Sequence, residues 1–427
     1  MEQCLYVLCI ELLSARRFVV FNMPFQLKKY ILCFIPFFML FYSENISVGG
    51  LKISQLWKLP LLLYLIYYVF QYRRKQSPGW TQMYYWLSLK HLVNSGAVNR
   101  LFANIQDGIS FLFLPLVYNF CQNAMNKDLL RRLLLCVCHY FILTNIPFLF
   151  FGMQSQKEGL SYGDFQAYTG IFQNQHAMSI IMGIGIIVIL YNFKLGRFVG
   201  WKVKLYNIVV LALGAYSMYL GFARTGWLMC LLGVCILFFP RSLDMKQWIG
   251  IITIVGGLIA GFTFMMLTNK TFHDRILDIN ASTGEQRELG SGRGDFIANA
   301  IELYASGNYF ELACGKCMDD LKDYEKEKTG MRIFAHNGFI TLLATDGAIG
   351  LGMEILGIIM LFHFIHKRRK CSSYSISLAC WMMNISFQMT QGGHIFHFDI
   401  LYAMIYCILQ FEYEEQQKVE SSSLVLG

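Results

Sequence analysis

Apolar runs of roughly twenty residues recur along most of the chain, and the polar stretches between them are short except for one long polar loop over 268–337. An α-helix needs about 20 apolar residues to cross the hydrocarbon of a bilayer, so runs of this length read as spans. The pattern predicts helices near 30–44, 51–71, 80–98, 103–120, 133–151, 174–192, 205–222, 225–239, 247–267, 338–366, 373–391 and 399–412, about twelve in all. The least apolar of them, 80–98, carries Lys90, His91 and Asn94. A polar helix can lie at membrane depth when it is buried in protein or lines a cavity. The expected class is therefore an all-α polytopic integral membrane protein. Its expected parts are an N-terminal transmembrane bundle over 1–267, an external (periplasmic) loop domain over 268–337, C-terminal transmembrane helices over 338–412 and a cytoplasmic tail over 413–427.

Composition agrees with this pattern, with 56% hydrophobic and only 15% charged residues and a mean hydropathy of +0.44. The net charge of +9 does not point to nucleic acid, because the basic residues sit in short clusters between apolar runs, where they orient helices. Many of the 13 cysteines, among them Cys136, Cys138, Cys230 and Cys235, lie inside apolar stretches. There a thiol behaves as a small hydrophobe, and no disulfide framework is expected. The N-terminus lacks the ordered parts of a cleavable signal, so the first span is expected to be an uncleaved anchor, with Met23 an alternative start.

Placing each basic cluster on the cytoplasmic side orients the spans. The clusters are Lys28-Lys29, Arg73-Arg74-Lys75, Lys127 with Arg131-Arg132, Lys194 through Lys204, Arg241 with Lys246, and Lys367 through Lys370. Both termini then lie inside. The turn holding Arg224, the loop 268–337 and Gly392-Gly393-His394 all fall on the outer face.

That shared face holds the candidate chemistry. An arginine within an apolar sequence costs about 2.5–3.5 kcal/mol on insertion scales, so Arg224 reads either as a binding group or as a side chain snorkelling at a span's end. Arg293 follows Ser291-Gly292 in the loop, and His336-Asn337 ends it; each has an ordinary reading as a solvated or structural group. Arg332 is close enough in sequence to His336 to be an outer phosphate contact, while Arg275 and Arg287 stay unassigned. Asp319, Asp320 and Asp323 could face a Mg²⁺ ion, but they open the alternating run Tyr-Glu-Lys-Glu-Lys that typifies a solvated helix. Cys314 and Cys317 are a lone pair, too few for a zinc site. His394 and His397 are more simply read as capping a span or meeting glycan hydroxyls than as metal ligands. Asn45, Asn269 and Asn280 head glycosylation sequons that matter only in a glycosylating host. No cofactor is expected.

Four stretches in order resemble the O-antigen ligase and O-antigen polymerase superfamily of bacterial envelope polysaccharide assembly. They are Gly170-Ile171-Phe172-Gln173-Asn174, Phe222-Ala223-Arg224-Thr225-Gly226, Ser291-Gly292-Arg293, and His336-Asn337-Gly338-Phe339 followed by Gly347 and Gly350. The chain departs from that pattern with His176 in place of an Asn, Ala223 in place of a Ser, and Cys314-Gly315-Lys316-Cys317 near a usual glycine pair.

The resemblance implies a GT-C-like arrangement in the bacterial cytoplasmic (inner) membrane with the active site on the outer face. It also implies transfer of a glycan from undecaprenyl diphosphate to an acceptor sugar hydroxyl, in lipopolysaccharide or capsule assembly and alongside other polysaccharide assembly proteins. Polymerase and ligase differ in the acceptor, a second lipid-linked repeat or a lipid-anchored core sugar. In this reading Arg224 and Arg293 hold the departing diphosphate through charged, bidentate donors. His336, with an ordinary pKa near ~6.5, takes the acceptor's proton, and Asn337 orients the imidazole or a sugar hydroxyl. The expected reaction is metal-independent and inverts the anomeric centre. The competing class is a flippase or exporter of the same lipid-linked glycans, which would show paired hydropathy repeats and polar residues near midplane.

Overall fold

The computed structural model describes residues 58–71, 77–94, 101–147, 168–170, 172, 175–221, 223–238, 293–391 and 396–425, together with 47–48, 51–52, 161–162, 165–166 and positions 263, 267, 268 and 273. The described helices are α1 (Lys58–Gln71), α2 (Gly79–Asn94), α3 (Leu101–Ala124), α4 (Lys127–Leu143), α5 (Gln175–Lys194), α6 (Trp201–Gly221), α7 (Arg224–Phe238), α8 (Arg293–Ala305), α9 (Tyr309–Cys314), α10 (Met318–Thr329), α11 (Gly338–Lys367), α12 (Tyr374–Thr390) and α13 (Phe396–Val425). Two antiparallel pairings of two residues each, Ser47–Val48 with Leu51–Lys52 and Ser161–Tyr162 with Phe165–Gln166, are the described strands.

Helices occupy ten of the twelve segments marked by the apolar pattern; 30–44 and nearly all of 247–267 lie outside the described residues. By length and composition α5, α6 and α11 qualify to cross a bilayer, and α7 is a shorter apolar helix. Their outer faces carry exposed Leu205, Ile208 and Val209 on α6, Leu228 on α7, and Ile349, Ile355 and Ile359 on α11. Large apolar side chains facing outward are at home in lipid, and the chain is an integral membrane protein.

Packing closes the helices into a ring. Neighbours run α11, α2, α3, α13, α4, α5, α7, α12 and back to α11, with α6 outside against α5. Two members are apolar on every side and are accordingly enclosed. On α13 every residue from Ile400 to Leu409 is buried, and on α5 the same holds from Met178 to Ile189.

One end of this bundle is pinned by ionic contacts. Glu412 on α13 is buried and accepts hydrogen bonds from Ser372 Oγ (2.7 Å) and from Ser373 N and Oγ (both 2.8 Å) between α11 and α12. It also pairs with Arg131 of α4. Arg368 lies over the Phe364 ring at 3.6 Å and the Tyr413 ring at 4.8 Å. Beyond Glu412 the chain stays helical to Val425, so the segment expected as a separate tail continues α13.

The other end is polar and assembled from the segment 293–337. Helices α8, α9 and α10 pack against α11 around a small separate core of Ala300, Leu303, Leu321, Ala335 and Ala344. Helix α11 itself departs from the single helix expected over 338–366. It breaks at Gly347, whose φ of 68° and ψ of −171° are not helical.

Close approach of α7 to α5 depends on Gly226, where a methyl group would lie 2.3 Å from Ser179 Cβ and 3.2 Å from its backbone carbon. Overpacking a tight contact costs about 1–3 kcal/mol. Gly226→Ala is therefore expected to lower the thermal unfolding midpoint in detergent. Gly352→Ala on α11, where a methyl meets open space, should leave it unchanged or slightly raised.

Candidate functional site

Three segments meet at the C-terminal end of α12. The last carbonyls of a helix have no partner within it and attract donors and cations. Here Arg293 Nη1 donates to Thr390 O at 3.2 Å, and Asn337 Nδ2 donates to Met389 O at 3.1 Å. Gln391, the C-cap residue, donates from Nε2 to Thr225 Oγ1 at 3.2 Å. Thr225 is the neighbour of Arg224, so this contact brings the α7 start to the same helix end. Residues just before the Gly170 stretch meet the end of α6, where Tyr168 N donates to Leu220 O at 3.1 Å.

Both arginines stand at helix starts. Arg224 is the first residue of α7 and half-buried, next to the buried Ala223. Arg293 is the first residue of α8 and half-buried. Phe296 follows three residues later, on the same face of α8, and its ring centroid lies 5.8 Å from that of His336. Phe334 flanks the imidazole at 4.9 Å.

His336 is the one non-glycine residue with positive φ among those described, at 53°. An L-residue in this left-handed region is held there at a cost of about 1–2 kcal/mol. The turn aims the ring into the aromatic slot and leaves Asn337 extended as N-cap of α11, with Oδ1 accepting from Ile340 N at 3.1 Å. The imidazole Nδ1 is buried and has no hydrogen-bond partner among the described residues. Burial, and then the nearby Arg293 charge, lower the pKa of His336 to about 4. At neutral pH the ring is thus uncharged and keeps a lone pair.

Arg332 is drawn elsewhere. Its guanidinium is half exposed and pairs with Asp319 and Asp323, both at 2.9 Å. Asp320 caps the start of α10 by accepting from Cys317 N at 3.0 Å. All three aspartates of that run are therefore engaged within the segment, as on the solvated helix the charge pattern suggests. No group of three His, Cys, Asp or Glu side chains suited to a metal ion occurs among the described residues. Cys314 and Cys317 are not joined in a disulfide. Gly392, Gly393 and His394, the side chain of His397, Arg275, Arg287 and the three sequon asparagines lie outside the described residues.

Sequence reasoning passed over one cluster. Lys90 and His91 of α2, noted there only as interruptions of a span, both reach Asp346 on α11. Lys90 Nζ lies 3.0 Å from Asp346 Oδ1, and His91 Nδ1 lies 2.7 Å from Asp346 Oδ2. Asp346 directly precedes the Gly347 break. A charged pair inside an apolar segment was the available signal, since such groups seek partners within the bundle.

Residues 207–355 match the family described as O-antigen ligase, a stretch that takes in Arg224, Arg293, Arg332, His336 and Asn337. The match supports the O-antigen ligase and polymerase superfamily for this chain. No curated protein matches it.

The electrostatic account of His336 yields a direct expectation. Titration of its imidazole, followed by NMR of histidine-labelled protein, should show a midpoint near 4. Arg293→Gln, by removing the repelling charge, should raise that midpoint towards the ordinary value; an unmoved midpoint would break the electrostatic link between the two residues. Because the folded pKa lies below the unfolded one, the unfolded chain binds the proton more tightly. Stability from this group is therefore present above about pH 6.5 and is lost as pH falls towards 4.

Proposed function

Given that residues 207–355 match the O-antigen ligase family, we propose that the protein is a membrane glycosyltransferase. In this reading it moves a glycan from undecaprenyl diphosphate to a sugar hydroxyl at the outer face of the cytoplasmic membrane. The observation that carries the proposal is the gathering of Thr225, Arg293 and Asn337 on one helix end, with Arg224 and His336 each one residue from a member of that set.

The chemistry follows from the groups. The acceptor oxygen attacks the anomeric carbon as the bond from that carbon to the phosphate oxygen breaks. The bonding electrons leave with the diphosphate, and charge accumulates on its oxygens. Arg224 and Arg293 hold that charge, since a guanidinium stays protonated and presents two parallel donors to phosphate. The proton leaving the acceptor hydroxyl goes to the neutral imidazole of His336. Arrival of an anionic head group offsets the field of Arg293, so the imidazole becomes more basic once donor is seated. Asn337, fixed by its cap and by Met389 O, holds the turn. Arg332, committed to two carboxylates, has no part in this scheme. Attack opposite the leaving group inverts the anomeric centre. Because guanidinium groups supply the positive charge, no metal is called for in this scheme.

The deciding experiment incubates purified protein with a single lipid-linked repeat unit. A ladder of products identifies a polymerase, product only after a lipid-anchored core sugar is added identifies a ligase, and movement of the lipid without bond formation identifies a carrier and refutes the proposal. His336→Ala and Arg224→Ala should each lower product by about a hundredfold or more, the usual scale for losing a general base or a charge-stabilising donor. Both variants should still reach the membrane. Near-normal product from either removes that residue from the site. Chelation with EDTA should leave the rate unchanged.

A further inference from the structure

The helix that starts at His336-Asn337 is held at both ends before it continues. Its first segment, residues 338–346, is capped by Asn337 and tied to α12 at one end. At the other end stands Asp346, followed by the break at Gly347. A break would leave backbone groups of this segment without helical partners. Neighbours supply them: Lys316 N donates to Ala344 O at 2.9 Å, and Lys90 Nζ donates to Asp346 O. Lys90 also donates to Cys314 O, so one ammonium joins α2, the end of α9 and the broken helix.

The backbones touch at this point. Gly315 has φ 83°, and a Cβ there would meet Asp346 N at 2.3 Å and Gly347 N at 2.4 Å; a Cβ on Gly347 would meet Ala313 O at 2.5 Å. The Asp346 carboxylate is fully buried and saturated. Lys90 and His91 hold it from α2, and Thr345 Oγ1 donates to its Oδ2 at 3.0 Å. A methyl on Gly350 would lie 2.3 Å from Asp346 Cβ, so that glycine makes room for the Asp346 side chain. The stretch Cys314-Gly315-Lys316-Cys317, which the family resemblance leaves unexplained, is thus the part of the segment that enters the break.

We propose that Lys90, Asp346 and His91 form a positioning device for His336. They clamp the far end of a strut nine residues long, about 13 Å at 1.5 Å per residue, whose near end presents the imidazole turn to Arg293 and to the carbonyl end of α12. The inference rests on the transfer reading for its catalytic consequence, but the mechanical coupling can be tested without it. None of the three need touch substrate.

The test uses the full-length protein in detergent or nanodiscs. Diethyl pyrocarbonate modifies neutral imidazoles, and the rate at each histidine can be read by peptide mass spectrometry. His139, buried and 2.9 Å from Asn207, reports whether the bundle stays closed, and the exposed His366 reports reagent strength. Asp346→Asn and Lys90→Gln are each expected to raise the rate at His336 severalfold while His139 remains protected. Lys90→Arg, which keeps charge and donors, should stay near the unmodified protein. An unchanged rate at His336 overturns the proposal, and so does a rise at His336 and His139 together, which would mean general loosening. In the transfer assay the two disruptive variants should lower kcat by about tenfold or more with the donor KM little changed, as expected when a reacting group is misplaced; a raised KM at constant kcat would also overturn it. If the unmodified protein transfers no glycan, the transfer reading falls, while the modification rates still decide the clamp.

Discussion

The arrangement depends on what a helix does with its last carbonyls when it ends inside a protein. The final turn of α12 offers oxygens that its own backbone cannot use, and they find donors elsewhere. It finds a guanidinium and a side-chain amide, and its cap residue reaches a threonine hydroxyl. The two donors and the threonine acceptor come from α8, from the start of α11 and from the start of α7, which are far apart in the chain. A need for hydrogen bonds at that helix end therefore collects the groups that the proposed chemistry uses. The partial negative charge of that helix end also favours a cation there, so Arg293 is held in place before any anionic ligand arrives.

The same economy shapes the environment of His336. Two aromatic rings and a neighbouring arginine make its charged form unfavourable, and the left-handed turn keeps the ring where they act. A general base with depressed basicity is a weak one in isolation. In the proposed reaction an anion bound by Arg293 removes part of the penalty, so that proton acceptance and donor binding become coupled through charge rather than through movement.

Much of the helical layout was legible because length and uniform apolarity carry it. The segments later seen as α5, α6, α7 and α12 stand out as runs, and their boundaries shift by a few residues at most. The motif residues could be picked out because arginine next to apolar sequence, and histidine at a loop's end, are conspicuous by chemistry. What stayed hidden was pairwise. The partnership of Lys90 and His91 with Asp346 spans more than 250 residues, and no periodicity records it; it gives the two basic residues of an apparently poor span a partner inside the bundle. The break in α11 was masked by the apolar residues on both sides of Gly347, which continue the helical pattern without a pause. The fate of Arg332 was likewise invisible, because its carboxylate partners lie one turn apart on α10, and only the fold of the chain after that helix brings the guanidinium back to them.

The contact of Gly315 with Gly347 has a consequence for engineering. Two main chains lie against each other there with no side chain between them, so the 293–337 segment and the membrane helix interlock like the halves of a mitred joint. A hybrid that imports the 293–337 region from another protein must import a matching joint along with it. Transplanting the surface alone would leave the graft and its host unable to close.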